Sequence, residues 1–348
     1  MNKVKFVING KFLSRRITGA QRYAWEIVNA LDNLCQADEF ILAAPRDAKN
    51  VPQFQNIQVV TVGSHAGIYW EQIEYPFWAL KNKRTPLNLC NVAPLIYPGI
   101  STIFDMKVKS YPHFFSRKFR MWYYLLFWNQ MHRSPLVITD SEDAKNEILK
   151  YYPFVNRDKV LVAYCSYQHY NQVAFDENTL SKYELEKEQY YFGMGSLEPN
   201  KNFKWIAEVA RCNPQLTFAV AGSLNPKVFA NGLGFECPSN MKLLGFVSDE
   251  EAKTLMRDCK GFLFPSFCEG FGMPPLEAMS AGCANIIVSD IPVMHELFED
   301  CAAYIDNMSY NLPMNARFST NEERCRILSK FDWSMSASTI YNLLKSLV

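Results

Sequence analysis

Long apolar runs are missing from this chain. No hydrophobic stretch reaches the roughly 18 residues that a membrane-spanning helix needs, although hydrophobic types make up 49% of the 348 residues. There is no Cys-x2-Cys pair, and the ten cysteines do not cluster with the five histidines. That argues against a zinc site, and no metal is expected. Several cysteines sit in apolar runs, Cys165 and Cys259 among them, and read as buried thiols of a reducing cytosol. The opening Met-Asn-Lys-Val-Lys-Phe-Val-Ile-Asn-Gly is too soon interrupted for a secretory signal and reads as a first strand. Net charge is nearly absent too, at +1. Internal repeats and low-complexity tracts are lacking, and no nucleic-acid partner is expected.

The even charge hides an asymmetry. Residues 1–165 carry 21 Lys and Arg against 13 Asp and Glu, a net +8; residues 166–348 carry 15 against 22, a net −7. A basic half would be drawn to an anionic membrane surface or a phosphate-bearing acceptor. The other reading is two complementary surfaces. At this length two domains are the expectation.

Short apolar runs alternate with helical patterns. Val4–Ile8 is a candidate first strand, and Ala20, Tyr23, Ala24, Ile27, Val28 and Leu31 then fall on one helix face. Further strands are expected at Phe40–Ala44, Val59–Val62, Thr102–Met106, Leu136–Thr139 and Val160–Tyr164. After a polar, weakly patterned stretch at Ser166–Ser181 they resume at Tyr191–Gly193, Leu216–Val220, Lys242–Leu244, Phe262–Phe264 and Asn285–Val288. Alternating strand and helix argue a parallel α/β sheet in each half.

The most informative segment runs from Phe264 to Glu277: Phe-Pro-Ser-Phe-Cys-Glu-Gly-Phe-Gly-Met-Pro-Pro-Leu-Glu. A buried strand ends at Phe264, and a helix runs from Pro274 to Ala281 with Gly282 just past its end. Glu269 therefore leaves a strand, and Glu277 lies just inside the next helix. Ligands of open parallel sheets bind at that edge. Gly270 and Gly272 let backbone approach a ligand, and the helix start offers N–H groups to an anion. Carboxylates beside a phosphate are repelled by it, so Glu269 and Glu277 fit sugar hydroxyls flanking the phosphates. The alternative is a tight strand–helix turn with Glu277 as an ordinary first-turn acid.

Residues 265–282 resemble the Glu-x7-Glu signature of retaining nucleotide-sugar glycosyltransferases with the GT-B fold, of the glycosyltransferase family 4, or group 1, type. Gly195-Ser196-Leu197-Glu198-Pro199-Asn200-Lys201-Asn202 resembles the family's "G-x-LEPRKN" segment, and Leu244 to Glu251 its "LGFVSDEEL" segment. The resemblance implies a GT-B fold, two Rossmann-like parallel-sheet domains facing across a cleft. Their expected bounds are 1–168 for an acceptor-side domain, with a closing helix at 333–348 returning to it, and 169–332 for the nucleotide-sugar donor domain.

It also implies an activity: transfer of a hexose from a nucleoside diphosphate sugar to a hydroxyl of a glycan or polyprenyl-linked glycan. The expected setting is bacterial surface polysaccharide of the O-antigen or capsule kind, in the cytoplasm or peripheral on the inner face of the plasma membrane. Glu269 would support the charge developing at the anomeric carbon, Glu277 would hold ribose hydroxyls, and Lys201 would neutralise the departing diphosphate. The backbone of Gly270, Phe271, Gly272 and Met273 would cradle the phosphates, with Ser196 beside them and Val247 near the base. Arg15 to Tyr23 resembles an "R-x-x-TGxxRY" loop, which places Gly19 at the donor and Arg22 in the cleft. Asp105 aligns with the aspartate of "T-I-H-D-L" and would orient an acceptor hydroxyl. No strict Asp-x-Asp occurs, so a metal-independent reaction without cofactor is implied.

Three departures qualify the resemblance. Ser196 and Asn200 stand where the family often has arginines, so less positive charge meets the leaving group. Phe104 replaces the family's histidine near the sugar's primary hydroxyl. It is either a packing substitution or the mark of a donor lacking that hydroxyl, a 6-deoxyhexose. Another GT-B nucleotide-sugar enzyme, such as an epimerase, or a non-catalytic nucleotide-sugar scaffold also fits the motifs. Separately, Arg117 to Trp128 is a dense aromatic helix with a basic start, suited to burial in the first domain or to a membrane interface. His295 reads as structural.

Overall fold

A computed structural model describes residues 5–49, 51–222, 235–313 and 318–347. The chain divides into two compact units. One holds Met1–Cys165 with Asp332–Val348, the other Ser166–Phe331.

The first unit is built on a seven-stranded sheet, every ladder parallel. Its strands are β1 Phe6–Asn9, β2 Phe40–Ala44, β3 Gln58–Thr61, β4 Thr85–Asn88, β5 Ile100–Thr102, β6 Val137–Thr139 and β7 Val160–Val162, in spatial order β3-β2-β1-β4-β5-β6-β7. β1, β2, β5 and β6 are buried throughout. That is why they read as continuous apolar runs and not as alternating ones. Val4, in the expected first strand, lies outside the described residues. The expected strand at Thr102–Met106 is displaced; the ladder residues are Ile100–Thr102.

β4 carries no strand expectation at all, because Pro86 lies within it. Proline cannot donate to a ladder and normally argues against a central strand. Here Pro86 aligns with Val7 of β1, and the pairing with β5 starts one residue later at Leu87.

The closing helix, Trp333–Ser346, belongs to this first unit. Asp332 caps it, accepting from the N–H groups of Ser334 and Met335. The Ser336 hydroxyl donates to the Tyr164 carbonyl at 2.7 Å, and the Tyr341 hydroxyl to Glu39 Oε2 at 2.7 Å. Trp333 meets Tyr23 edge-on at 5.9 Å.

The helix Arg117–Arg133 is two-faced. Leu126 is buried, and Phe127 and Met131 belong to a core that includes Ile103 and Val137. Met121, Leu125 and Trp128, at i, i+4 and i+7, are exposed. Burial, the favoured expectation, describes only one side of it.

The second unit has six parallel strands: β8 Tyr190–Met194, β9 Thr217–Ala221, β10 Met241–Gly245, β11 Gly261–Phe264, β12 Ile286–Ser289 and β13 Ala303–Ile305, in order β10-β9-β8-β11-β12-β13. The direction of winding reverses between β8 and β11. Ligands of open parallel sheets bind beyond the carboxyl ends of the strands at such a switch point. The core beneath includes Trp205, Ile206, Phe218 and Leu263. Among the described residues no helix is long and apolar enough to cross a membrane.

Candidate active site

The two residues expected to do chemistry both lie at this switch point. β8 leads through a 3-10 turn, Pro199–Lys201, into the helix Phe203–Cys212. Lys201 ends that turn and does not open the helix. The residue between, Asn202, caps the helix in the left-handed region at φ 52°, a conformation Asn tolerates. β11 leads through the loop 265–272 into the helix Met273–Ala281. Lys201 Nζ then reaches Glu269 Oε1 at 2.6 Å, with side chains 17% and 5% exposed. The ammonium also lies over the Phe264 ring, 5.2 Å from its centroid.

Backbone and amide bonds lace the two loops together. The Phe267 N–H donates to the Asn200 carbonyl at 2.8 Å. Asn307 Nδ2 donates to the Ser266 carbonyl at 3.1 Å, and Asn202 Nδ2 to the Asn307 carbonyl at 3.0 Å. A cation and a carboxylate on different loops are thus held by loops that are bonded to one another. Such support is what a preorganised site requires.

The glycine loop is buried at Gly270, Phe271 and Gly272. Phe271 packs edge-on against Phe331 at 5.4 Å. Gly272 caps the helix at φ 104°, and a Cβ there would lie 2.6 Å from Met294 Cε. Both the conformation and the space call for glycine. The helix supplies fewer donors than its position suggests. Pro274 and Pro275 have no N–H, so the helix start offers only the N–H groups of Gly272 and Met273.

Glu277 is not a first-turn acid. It lies in the second turn, 7% exposed, and its Oε1 is 3.0 Å from His169 Nε2, itself only 4% exposed as a side chain. His169 sits in the 3-10 turn Gln168–Gln172, within the polar stretch taken as a linker. Sequence reasoning missed it, since a lone histidine 108 residues from its partner leaves no spacing signal. It orients one carboxylate oxygen and leaves the other.

The remaining expected positions fall as follows. Ser196 is exposed after β8. Val247 is 7% exposed, between β10 and a helix, Asp249–Asp258, opened by a Ser248–Glu251 capping box. In the first unit, Gly19 begins the helix Gly19–Leu34. The Thr18 hydroxyl there turns to Gln21 and does not cap. Arg22 leans toward Glu26 at 3.8 Å. Asp105 is engaged locally, accepting from the Lys107 N–H at 3.0 Å and lying 3.3 Å from Lys107 Nζ.

Phe104 is 7% exposed and meets Tyr23 edge-on at 5.0 Å. That contact fits the packing reading of the substitution. His295 pairs with Asp290 at 2.6 Å and stacks on Tyr304 at 3.9 Å. Among the described residues no group of three or more His, Cys, Asp or Glu is placed to hold a metal ion.

Two α/β units, each on a parallel sheet, are the GT-B fold, which solved glycosyltransferase structures share. Residues 176–305 match the family described as glycosyl transferases group 1, which supports a group 1 glycosyltransferase. It is 26% identical over 319 residues to the O-antigen chain mannosyltransferase RfbU of Salmonella typhimurium, covering 86% of each chain. It is 22% identical to the O-antigen chain mannosyltransferase B of Escherichia coli, covering 83% of each. Sucrose-phosphate synthase of Thermosynechococcus elongatus shares the fold, with a TM-score of 0.75 over 99% of both chains at 13% identity. So does Anabaena HepE, solved with UDP and glucose, with a TM-score of 0.68 over 99% of this chain and 100% of that one at 16% identity.

Proposed function

We propose that the chain transfers a mannose-type hexose from a nucleoside diphosphate sugar to a hydroxyl of a glycan or polyprenyl-linked glycan, with retention of configuration, in surface polysaccharide synthesis of the O-antigen kind. The Lys201–Glu269 contact at the switch point carries this reading. The O-antigen mannosyltransferases to which the chain is similar support the sugar and the setting.

In the reaction, the second unit binds the donor. Glu277, oriented by His169, accepts hydroxyl protons of the ribose. Lys201 moves its charge onto the diphosphate as the sugar–oxygen bond lengthens, assisted by backbone N–H groups of 270–273. Glu269, released from that cation, faces the positive charge growing at the anomeric carbon. The acceptor hydroxyl attacks from the face the diphosphate leaves, and a phosphate oxygen takes its proton. No metal or cofactor takes part in this scheme.

The chain would work in the cytoplasm, docked peripherally on anionic lipid through the exposed face of Arg117–Arg133. Met121 is 67% exposed and Trp128 53%, and Arg117 and Lys118 are exposed at the same helix start. Aromatic and basic residues in that arrangement favour a lipid interface.

The deciding experiment screens nucleoside diphosphate sugars for thermal stabilisation, which reports a bound ligand by mass action. The stabilising donor is then incubated with lipid-linked glycan and chelator. Proton NMR of the product is expected to show a retained anomeric configuration. An inverted product, or loss of turnover with chelator, would overturn the mechanism. Stabilisation by no mannose nucleotide would overturn the donor.

A further inference from the structure

Lys253 is a buried ammonium for which the proposed reaction has no role. It lies in the helix Asp249–Asp258 of the second unit and is 9% exposed. Lysine is rarely buried to that degree unless its charge has partners. Here its hydrogen bonds go to two backbone carbonyls and not to a carboxylate. Nζ donates to the Tyr170 carbonyl at 2.7 Å and to the Val173 carbonyl at 2.6 Å. Hydrogen bonds with an ionised donor are the strong kind.

Those carbonyls lie at the end of the 3-10 turn Gln168–Gln172, the turn that carries His169. The last carbonyls of a helical turn have no N–H further along to take, and a lysine can supply the missing donors. The Tyr170 carbonyl also accepts the Val173 N–H at 3.1 Å, so the ammonium grips the point where the turn closes. The start of the turn is fixed separately. The Gln168 N–H donates to the Ser166 hydroxyl at 3.3 Å, and the Tyr170 N–H to the Tyr167 carbonyl at 2.8 Å. Tyr170 is buried, and its ring meets that of His169 edge-on at 5.2 Å. His169 therefore sits between two anchored ends.

Two neighbours of Lys253 on the same helix tie the chain further along. The Asp176 N–H donates to the Thr254 hydroxyl at 2.9 Å, and the Arg257 guanidinium reaches Glu177 Oε1 at 3.2 Å. The Arg257 and Lys253 charges both lie over the Phe175 ring, at 4.2 and 4.8 Å from its centroid. Of these three side chains, Lys253 is the one whose hydrogen bonds end on the His169 turn. Its helix also packs against Met273–Ala281, which carries Glu277, and the turn packs against that helix as well. Lys253 thus joins the support of His169 to the support of Glu277, and these two side chains meet at 3.0 Å.

We infer that Lys253 is a positioning residue for donor binding: by holding the end of the 3-10 turn it keeps His169 against Glu277, and Glu277 against the ribose. The inference rests on the glycosyl-transfer reading, which brings the ribose to Glu277. Removing the ammonium frees the turn, and the loss is felt where the ribose hydroxyls are recognised. A lysine that served the fold alone would lower the melting temperature and leave that recognition in place.

The test uses the full chain and calorimetric titration with GDP, UDP and their 2′,3′-dideoxy analogues, which lack both ribose hydroxyls. Wild type is expected to bind one of the two nucleotides about tenfold or more tightly than its dideoxy analogue, the scale of a hydrogen bond to a charged group. Lys253→Met should bring that ratio within about twofold, as should His169→Ala, and the double variant should lose no more than either alone. Lys253→Arg, which keeps the charge and the donors, should retain most of the ratio. So should Thr254→Val, which cuts the tie to Asp176 and leaves the lysine. Melting curves identify the folded variants, and where Lys253→Met does not fold, Lys253→Gln is read in its place. A ratio kept in the folded neutral variant, or lost equally in Thr254→Val, would overturn the positioning role and leave the function standing. Wild type that binds neither nucleotide, or binds the dideoxy analogue equally well, would overturn the inference together with the ribose role of Glu277. Ribose discrimination that depends on Lys253, without transfer from any nucleotide sugar, would keep the positioning role and overturn the function.

Discussion

Lys201 Nζ lies 2.6 Å from Glu269 Oε1 although 68 residues separate them in the chain. The two arrive from β8 and β11, which sheet order alone makes neighbours. Without a donor the lysine faces the acid; under the proposed function, the diphosphate of a bound donor would compete for the same ammonium. Replacing Lys201 by Ala is therefore expected to lower kcat on the order of 10²–10³-fold, the scale of one preorganised stabiliser. It should also soften the fold, since Glu269 stays buried without its cation. Steady-state kinetics beside a melting curve separate the two effects, and near-normal kcat and KM would contradict the role.

His169 acts through Glu277. One carboxylate oxygen is fixed at 3.0 Å from the ring nitrogen. A hydrogen bond to a charged group is worth about 1.5–3 kcal/mol. His169→Ala should weaken donor binding by roughly ten- to a hundred-fold on that scale. The kcat at saturating donor should change much less, because the reacting bond lies beyond the ribose. His169→Gln, able to donate to the same oxygen, should recover part of the loss. Calorimetric donor titrations check this, and equal falls in kcat and affinity would argue for plain misfolding.

The exposed side of Arg117–Arg133 sharpens a prediction that the sequence already framed. Aromatic density around the whole helix hid which residues face outward. Leu125 and Trp128 are exposed, whereas Trp122 is partly buried. Leu125→Glu with Trp128→Glu should abolish flotation on vesicles containing phosphatidylglycerol while leaving the melting temperature within a few degrees. Wild-type flotation should weaken with added salt, because the basic helix start is screened. Wild-type chain that fails to float would remove the membrane contact.

How far the sequence could be read follows from where the information sits. Strands buried on both faces announce themselves as apolar runs, so β2 and β11 were visible almost to the residue. β4 was hidden by Pro86, and β13 is only three residues long. Lys201 and Glu269 could be named because each lies in a dense local motif, but their contact is a property of strand order. His169 and Lys253 were illegible for a common reason. Each is an isolated polar residue whose partner is distant in sequence, and the 3-10 turn that carries His169 has no periodic signature.

Glu74 closes a π-helical turn of the first unit, Trp70–Glu74, and its ionisation should be readable. The His65 ring and the Ser64 N–H hold its carboxyl down to about 2. The carboxylate therefore stabilises the folded state at every pH above its unfolded value, near 4.5. That contribution should shrink as pH falls toward 2, where the folded group takes up its proton. Glu74→Gln cannot ionise and lacks it throughout. The gap in melting temperature between wild type and Glu74→Gln should thus be present at pH 5 and close as pH falls from 4.5 toward 2. Amide exchange at Ser64 and His65 should quicken in the variant over the upper range, because both N–H groups lose their carboxylate acceptor. A gap that persisted undiminished to pH 2 would mean that Glu74 holds the turn by packing and not by charge.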